Sequence, residues 1–132
     1  MVTDLNPLPS KTPPSVGSDA VDAEHGIQLG LLEAAQSSLE HDSGNAAGYL
    51  EQLYSYTQAH FMSEQLLMRQ SAQSNFQGHQ LEHEILLQQL DELCSLAEQG
   101  KTKQALELIA EHEKRLLAHI QSWDRSFGDH FE

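Results

Sequence analysis

Several features that define common protein classes are scarce in this chain of 132 residues. A single cysteine, Cys94, cannot form an internal disulfide and fits a reducing, cytoplasmic compartment. Lys and Arg number 7 against 20 Asp and Glu, and this net charge of -13 argues against nucleic acids and anionic membrane surfaces as partners. No apolar run approaches the roughly 18 residues of a membrane span, and residues 1–7 have neither a basic nor an apolar region. We therefore expect one domain with no membrane insertion and no signal peptide.

Proline is present only near the start of the chain. All four prolines fall within the first 14 residues, and Ser, Thr and Gly continue to Ser18. This composition predicts a disordered or extended N-terminal arm over residues 1–18 and a folded domain over residues 19–132. Beyond Pro14, the chain is rich in Leu, Ala, Gln and Glu, which favours helix throughout.

The spacing of apolar residues predicts four long helices at about 19–40, 46–70, 75–99 and 103–129. The polar segment 42–45 is a predicted turn, Gly100 suits the end of the third helix, and Thr102 suits the cap of the fourth. The same spacing predicts that Cys94 and Leu106 face the core. Long helices joined by short loops predict an all-α fold, an antiparallel up-down four-helix bundle.

Histidine is abundant, with eight residues, and two of them stand four apart on the third predicted helix. His79 and His83 leave the same helical face about one turn apart, so the pair can hold one metal ion. Taken alone, such a pair is more often two surface histidines. The other helices decide between these interpretations, because an up-down bundle brings their polar residues to the same end.

Seven polar residues fall within one layer of the predicted bundle, about 6 to 15 Å from that end at 1.5 Å per residue. They are His25, His60, Glu64, His79, His83, His119 and Asp124. Five imidazoles and two carboxylates in an apolar core are costly unless they bind metal. Seven ligands are too many for one tetrahedral zinc and suit two octahedral ions. Imidazole with carboxylate suits iron, although copper, zinc and manganese also accept such ligands.

Other motifs of metal and hydrolytic chemistry do not occur. The chain has no Glu-x-x-His of the ferritin-like carboxylate proteins, no His-Glu-x-x-His, no Gly-rich phosphate loop and no serine-triad signature. The sequence therefore offers no candidate catalytic residue outside the predicted metal layer.

Over about residues 20–131 the chain resembles the hemerythrins, in particular the small bacterial ones. The resemblance rests on His25, on His60-Phe61-Met62-Ser63-Glu64, on His79-x-x-x-His83 and on His119-Ile120-x-x-x-Asp124. It implies that His79, His83 and His119 bind one iron ion, and that His25 and His60 bind a second. By the same resemblance, Glu64 and Asp124 bridge the two ions together with an oxo or hydroxo group, and the second ion keeps an open position for O2.

The function implied by this resemblance is reversible, non-enzymatic O2 binding, for transport, storage or sensing. A sensing role implies an output domain or redox partner outside this chain. A di-iron enzyme with peroxidase, oxidase or nitric-oxide-related activity is the alternative, and a metal-trafficking or structural bundle is a third. The predicted apolar pocket for O2 comprises Leu29, Phe61, Leu116 and Ile120. Arg115 departs from the family pattern, since hemerythrins often have tryptophan there. The oligomeric state is left open.

Overall fold

The computed structural model describes residues 19–41, 44–70 and 76–121. Four helices are present there: α1 (Asp19–His41), α2 (Ala46–Gln70), α3 (Phe76–Glu98) and α4 (Thr102–His119). The predicted arm and the last part of the predicted fourth helix, including Asp124, lie outside these residues. The described ranges contain no strand, so the predicted all-α class is confirmed for them.

The helices form a four-helix bundle in which each helix packs against the next and α1 packs against α4. The start of α1, the end of α2, the start of α3 and the end of α4 meet, because the buried His25, Glu64, His79 and His119 come from those positions. Successive helices are therefore antiparallel, as predicted. Among the described residues, no helix is long and apolar enough to cross a membrane.

The connection between α3 and α4 is a tight left-handed turn at Gly100, whose φ is 74°. Lys101 N–H donates to the Leu96 carbonyl at 2.9 Å, which closes the end of α3. Lys101 then occupies the N-cap of α4 without a side-chain cap hydrogen bond, and its carbonyl accepts the Ala105 N–H at 3.0 Å. The prediction that Thr102 caps α4 is therefore wrong by one residue, because the closed Gly100 turn starts the helix earlier.

The core has two apolar clusters along the bundle axis. The larger one lies away from the layer of histidines and contains Leu31, Leu32, Ala35, Leu50, Leu53, Leu90, Leu93, Ala105 and Ile109. The smaller one contains Leu29, Phe61, Leu86, Leu116 and Ile120. Cys94 is half-buried and packs against the larger cluster, as predicted. Leu106 is half-buried, and its neighbour Ala105 is the fully buried residue. The prediction for Leu106 is off by one position, because two adjacent residues lie only 100° apart on a helix.

Candidate metal centre

Six of the seven predicted ligands lie together in one layer of the bundle, and every one is buried. α1 contributes one, α2 two, α3 two and α4 one: His25, His60, Glu64, His79, His83 and His119. Their exposed fractions are 4% or less. Each helix therefore supplies at least one side chain to the same buried volume. The seventh predicted ligand, Asp124, lies outside the described residues and stays a prediction.

Glu64 lies between two sets of histidines, with one carboxylate oxygen toward each. Its Oε1 is 3.3 Å from His79 Nε2 and 3.2 Å from His83 Nε2. Its Oε2 is 3.0 Å from His60 Nε2. A carboxylate with each oxygen directed to a different set of imidazoles has the geometry of a bridging ligand.

The possible ligand atoms fall into two groups that share Glu64. One group consists of Glu64, His79, His83 and His119, and the other of His25, His60 and Glu64; within each group the ligand atoms lie within 4.8 Å of one another. The rings of His79 and His83 have centroids 4.3 Å apart, and those of His25 and His60 are 5.3 Å apart. Such a nitrogen-rich donor set suits iron, copper or zinc better than magnesium or calcium.

Burial favours the uncharged state that metal binding requires. Removal from water lowers the pKa of His83 to about 4, against the opposing influence of the nearby Glu64 carboxylate. A metal ligand must be a neutral imidazole with a free lone pair, so this ring needs no deprotonation at neutral pH before it binds.

Two polar side chains contact the outer nitrogens of ligand candidates. His60 Nδ1–H donates to the carboxylate of Glu24, the residue before His25 on α1. The side-chain amide of Gln65 lies 3.3 Å from His83 Nδ1. Such contacts to the outer nitrogen fix the ring orientation, and a carboxylate partner also makes the imidazole a stronger donor to a metal.

An apolar wall adjoins the histidines. The Phe61 ring stacks on His83 with a centroid distance of 3.7 Å and an angle of 2° between the planes. The four predicted pocket residues, Leu29, Phe61, Leu116 and Ile120, belong to one buried cluster. Leu86 is its fifth buried member and was not among the predicted pocket residues. Their burial beside the centre is observed, and their role in O2 binding stays a prediction.

The model of the hemerythrin HHE cation-binding domain matches residues 16–130. The chain belongs to this family. Comparison with curated proteins gives no match, and comparison with solved structures gives none either. The protein is thus a hemerythrin domain whose described residues include a buried histidine and glutamate cluster able to hold metal.

Two residues of this hemerythrin domain, Arg115 and His112, are not ligand candidates and have hydrogen-bond partners of their own. Arg115 points outward, and its guanidinium donates to Glu82 at 2.6 Å and 3.4 Å, so it is not part of the apolar wall. His112 is 2% exposed, and its Nδ1 lies 2.9 Å from Gln89 Oε1. Burial lowers the pKa of His112 to about 4, which leaves it uncharged at neutral pH.

Three polar residues beside the hemerythrin centre are not found by sequence reasoning. Glu24 and Gln65 stand next to ligand candidates along the chain, but adjacency alone does not predict which ring they contact. Gln28 is 1% exposed, although the spacing of apolar residues on the first helix does not include it among the buried positions. The burial of Gln28 could have been predicted from His25, since residues three apart share a helix face and His25 is a predicted ligand.

The last turn of α4 changes its winding directly after His119. Residues 120–121 form a wider, π-type turn. Residues five apart lie about 140° apart around an α-helix, but π-helical hydrogen bonds join residues five apart. Ile120 itself keeps α-helical dihedral angles, with φ -60° and ψ -44°, and its N–H donates to the Leu116 and Leu117 carbonyls. Asp124 lies outside the described residues, so its interval from His119 stays a prediction.

Proposed function

We propose that this hemerythrin domain binds O2 reversibly at two iron ions, without enzymatic turnover, in a transport, storage or sensing role. The observation that carries the proposal is the position of Glu64, whose two oxygens are directed to two different groups of histidines. Residues 19–132 would form the O2-binding domain and residues 1–18 an arm. A pair of iron ions, when bound, supplies the two-electron chemistry that O2 binding requires.

The residues of the chain would perform three tasks around these ions. The two groups of histidines would hold one ion each, and Glu64 would join them, with Asp124 as the second predicted bridge. Glu24 would keep the His60 ring oriented by accepting its Nδ1–H. The cluster around Phe61 and Leu116 would exclude water, because every side chain in it is apolar and buried.

The experiment that tests this function combines metal analysis with visible spectra. The iron-loaded protein is expected to contain two iron ions per chain. After reduction it should be nearly colourless, gain a visible absorption band in air, and lose that band under argon. Several cycles of air and argon should give the same amplitude, since a buried apolar wall limits access of water and protons.

Other results would select one of the alternatives. Irreversible oxidation during mixing, or rapid consumption of a peroxide or of nitric oxide, would favour a di-iron enzyme at the same residues. A single zinc ion, or no iron after iron-replete expression, would favour a structural or trafficking bundle and would contradict the proposal.

Replacement of Glu24 by glutamine tests the support given to His60. The amide keeps the size of the side chain but removes the anionic acceptor of the His60 Nδ1–H. Loss of such an outer contact lowers metal affinity by about 10- to 100-fold in other metalloproteins. We expect one of the two iron ions to be removed by a chelator at correspondingly lower concentration, measured as iron retained per chain.

The matched control is Glu51→Gln, which removes the same charge from an exposed position on α2. It should retain iron as the unmodified protein does. Equal retention of iron by both variants would show that Glu24 does not support the ligand, and that its contact with His60 has no effect on the centre.

A further inference from the structure

Two buried polar side chains beside the hemerythrin centre have no partner in the described part of the chain. Gln28 is 1% exposed and Thr57 is 2% exposed. Among residues 19–41, 44–70 and 76–121, nothing hydrogen-bonds to Gln28 Oε1, Gln28 Nε2 or Thr57 Oγ1. Buried polar groups nearly always have a hydrogen-bond partner, because an unsatisfied group is destabilising. Three such atoms close to a metal centre therefore require an explanation.

The two side chains lie on one level of the bundle. Gln28 follows His25 by three residues on α1, and Thr57 precedes His60 by three residues on α2. A step of three residues is about 4.5 Å along a helix. α1 and α2 pack together in opposite directions, and the rings of His25 and His60 are 5.3 Å apart. Gln28 and Thr57 thus lie about one turn further into the bundle than these two histidines.

The other half of the same level is apolar. Leu86 follows His83 by three residues on α3, and Leu116 precedes His119 by three residues on α4. Both leucines are buried in the apolar cluster that contains Phe61. The two buried polar side chains described at this level, Gln28 and Thr57, therefore lie on the α1 and α2 side, next to the group of His25, His60 and Glu64.

That group also provides fewer ligand atoms to a metal ion, which leaves more room for a ligand from solution. Among the described residues it offers three ligand atoms, whereas the group of Glu64, His79, His83 and His119 offers four. A metal ion held by fewer protein atoms keeps more positions for a small molecule. The unsatisfied amide and hydroxyl lie on the side where such a molecule would bind.

We infer that Gln28 and Thr57 form a polar subsite for a small ligand bound at the metal ion of His25 and His60. The Gln28 amide N–H and the Thr57 hydroxyl donate hydrogen bonds to an acceptor atom of that ligand, which is a small anion or a diatomic molecule. The subsite rests on the proposed function only in requiring a metal ion beside His25 and His60. Reversible O2 binding is not required.

Azide titration of the iron-loaded, oxidised protein tests the subsite. Gln28→Leu and Thr57→Val keep the approximate size of each side chain and remove its polar atoms. A hydrogen bond lost to a ligand weakens binding by about three- to tenfold. We expect the azide dissociation constant, measured from the visible absorption band, to rise by that factor in each variant. The iron content should stay unchanged.

The thermal midpoint of the metal-free protein provides a second readout. Because both variants remove unsatisfied buried groups, their metal-free midpoints should equal or exceed that of the unmodified protein. Gln58→Leu, at an exposed position beside Thr57 on α2, is the matched control and should keep the same azide affinity.

A structural role would give the opposite pattern. If azide affinity stays within twofold while the metal-free midpoints fall, Gln28 and Thr57 hold an internal water only and the subsite is wrong. Loss of iron from Gln28→Leu would also overturn it, since the residue would then support the metal ion itself. If the unmodified protein binds azide but not O2 reversibly, the proposed function fails and the variants still decide the subsite. If it binds no metal, both fail.

Discussion

Replacement of Glu64 by glutamine should abolish the paired metal site while leaving the bundle folded. Glu64 is 3% exposed and is the one residue shared by the two ligand groups of the described chain. Glutamine has nearly the same shape, but its amide offers one neutral oxygen where the carboxylate offers two charged ones. One amide oxygen cannot replace both contacts, to His60 and to the pair on α3. We expect iron to fall from two ions per chain to one or fewer.

The loss of iron from Glu64→Gln should also change the thermal midpoint of the protein. A metal that binds only the folded protein raises its thermal midpoint by mass action. The difference between midpoints with and without a chelator should therefore shrink in Glu64→Gln. Glu84→Gln, which removes one charge from an exposed position beside His83, should keep both the iron and the full difference. A Glu64→Gln protein with two iron ions and an unchanged chelator response would rule out Glu64 as the bridge.

The layer of ligands could be predicted because each residue of a helix advances a fixed distance along the bundle axis. The position of a residue in the sequence therefore gives its level in the bundle. In an antiparallel bundle, residues near the start of α1 and α3 share a level with residues near the end of α2 and α4. His25, Glu64, His79 and His119 satisfy this relation, and all four are buried together. The same relation places both His60 and Glu64 in this layer, since they stand four residues apart on one face of α2.

Contacts that depend on side-chain reach could not be predicted in this way. Glu24 lies beside His25 in the sequence, yet it accepts a hydrogen bond from His60 on the neighbouring helix. Its carboxylate crosses the groove between α1 and α2, and the 3.6-residue period contains no information about that direction. Gln28 was missed for a related reason, because a search for apolar periodicity passes over a buried amide.

Replacement of Leu116 by alanine should weaken both the fold and the protection of the centre. Leu116 is 2% exposed, lies one turn before His119, and packs in the cluster with Phe61 and Ile120. Removal of a buried leucine side chain costs about 2–5 kcal/mol of unfolding free energy, measurable by denaturant titration. The new cavity would border polar ligand atoms, so water could enter it. We expect the air-exposed protein to lose its argon-reversible absorption band several times faster, with iron content unchanged.

Leu93→Ala separates the general effect of a cavity from the local one. Leu93 is fully buried on α3, but in the larger apolar cluster away from the histidine layer. The Leu93→Ala variant should lose a similar amount of unfolding free energy. Its argon-reversible band should be lost at the same rate as in the unmodified protein. An unchanged rate in Leu116→Ala would make that residue ordinary core and contradict its place in the O2 pocket. Loss of iron there would instead assign Leu116 to support of His119, because a residue that only excludes water leaves the ligands in position.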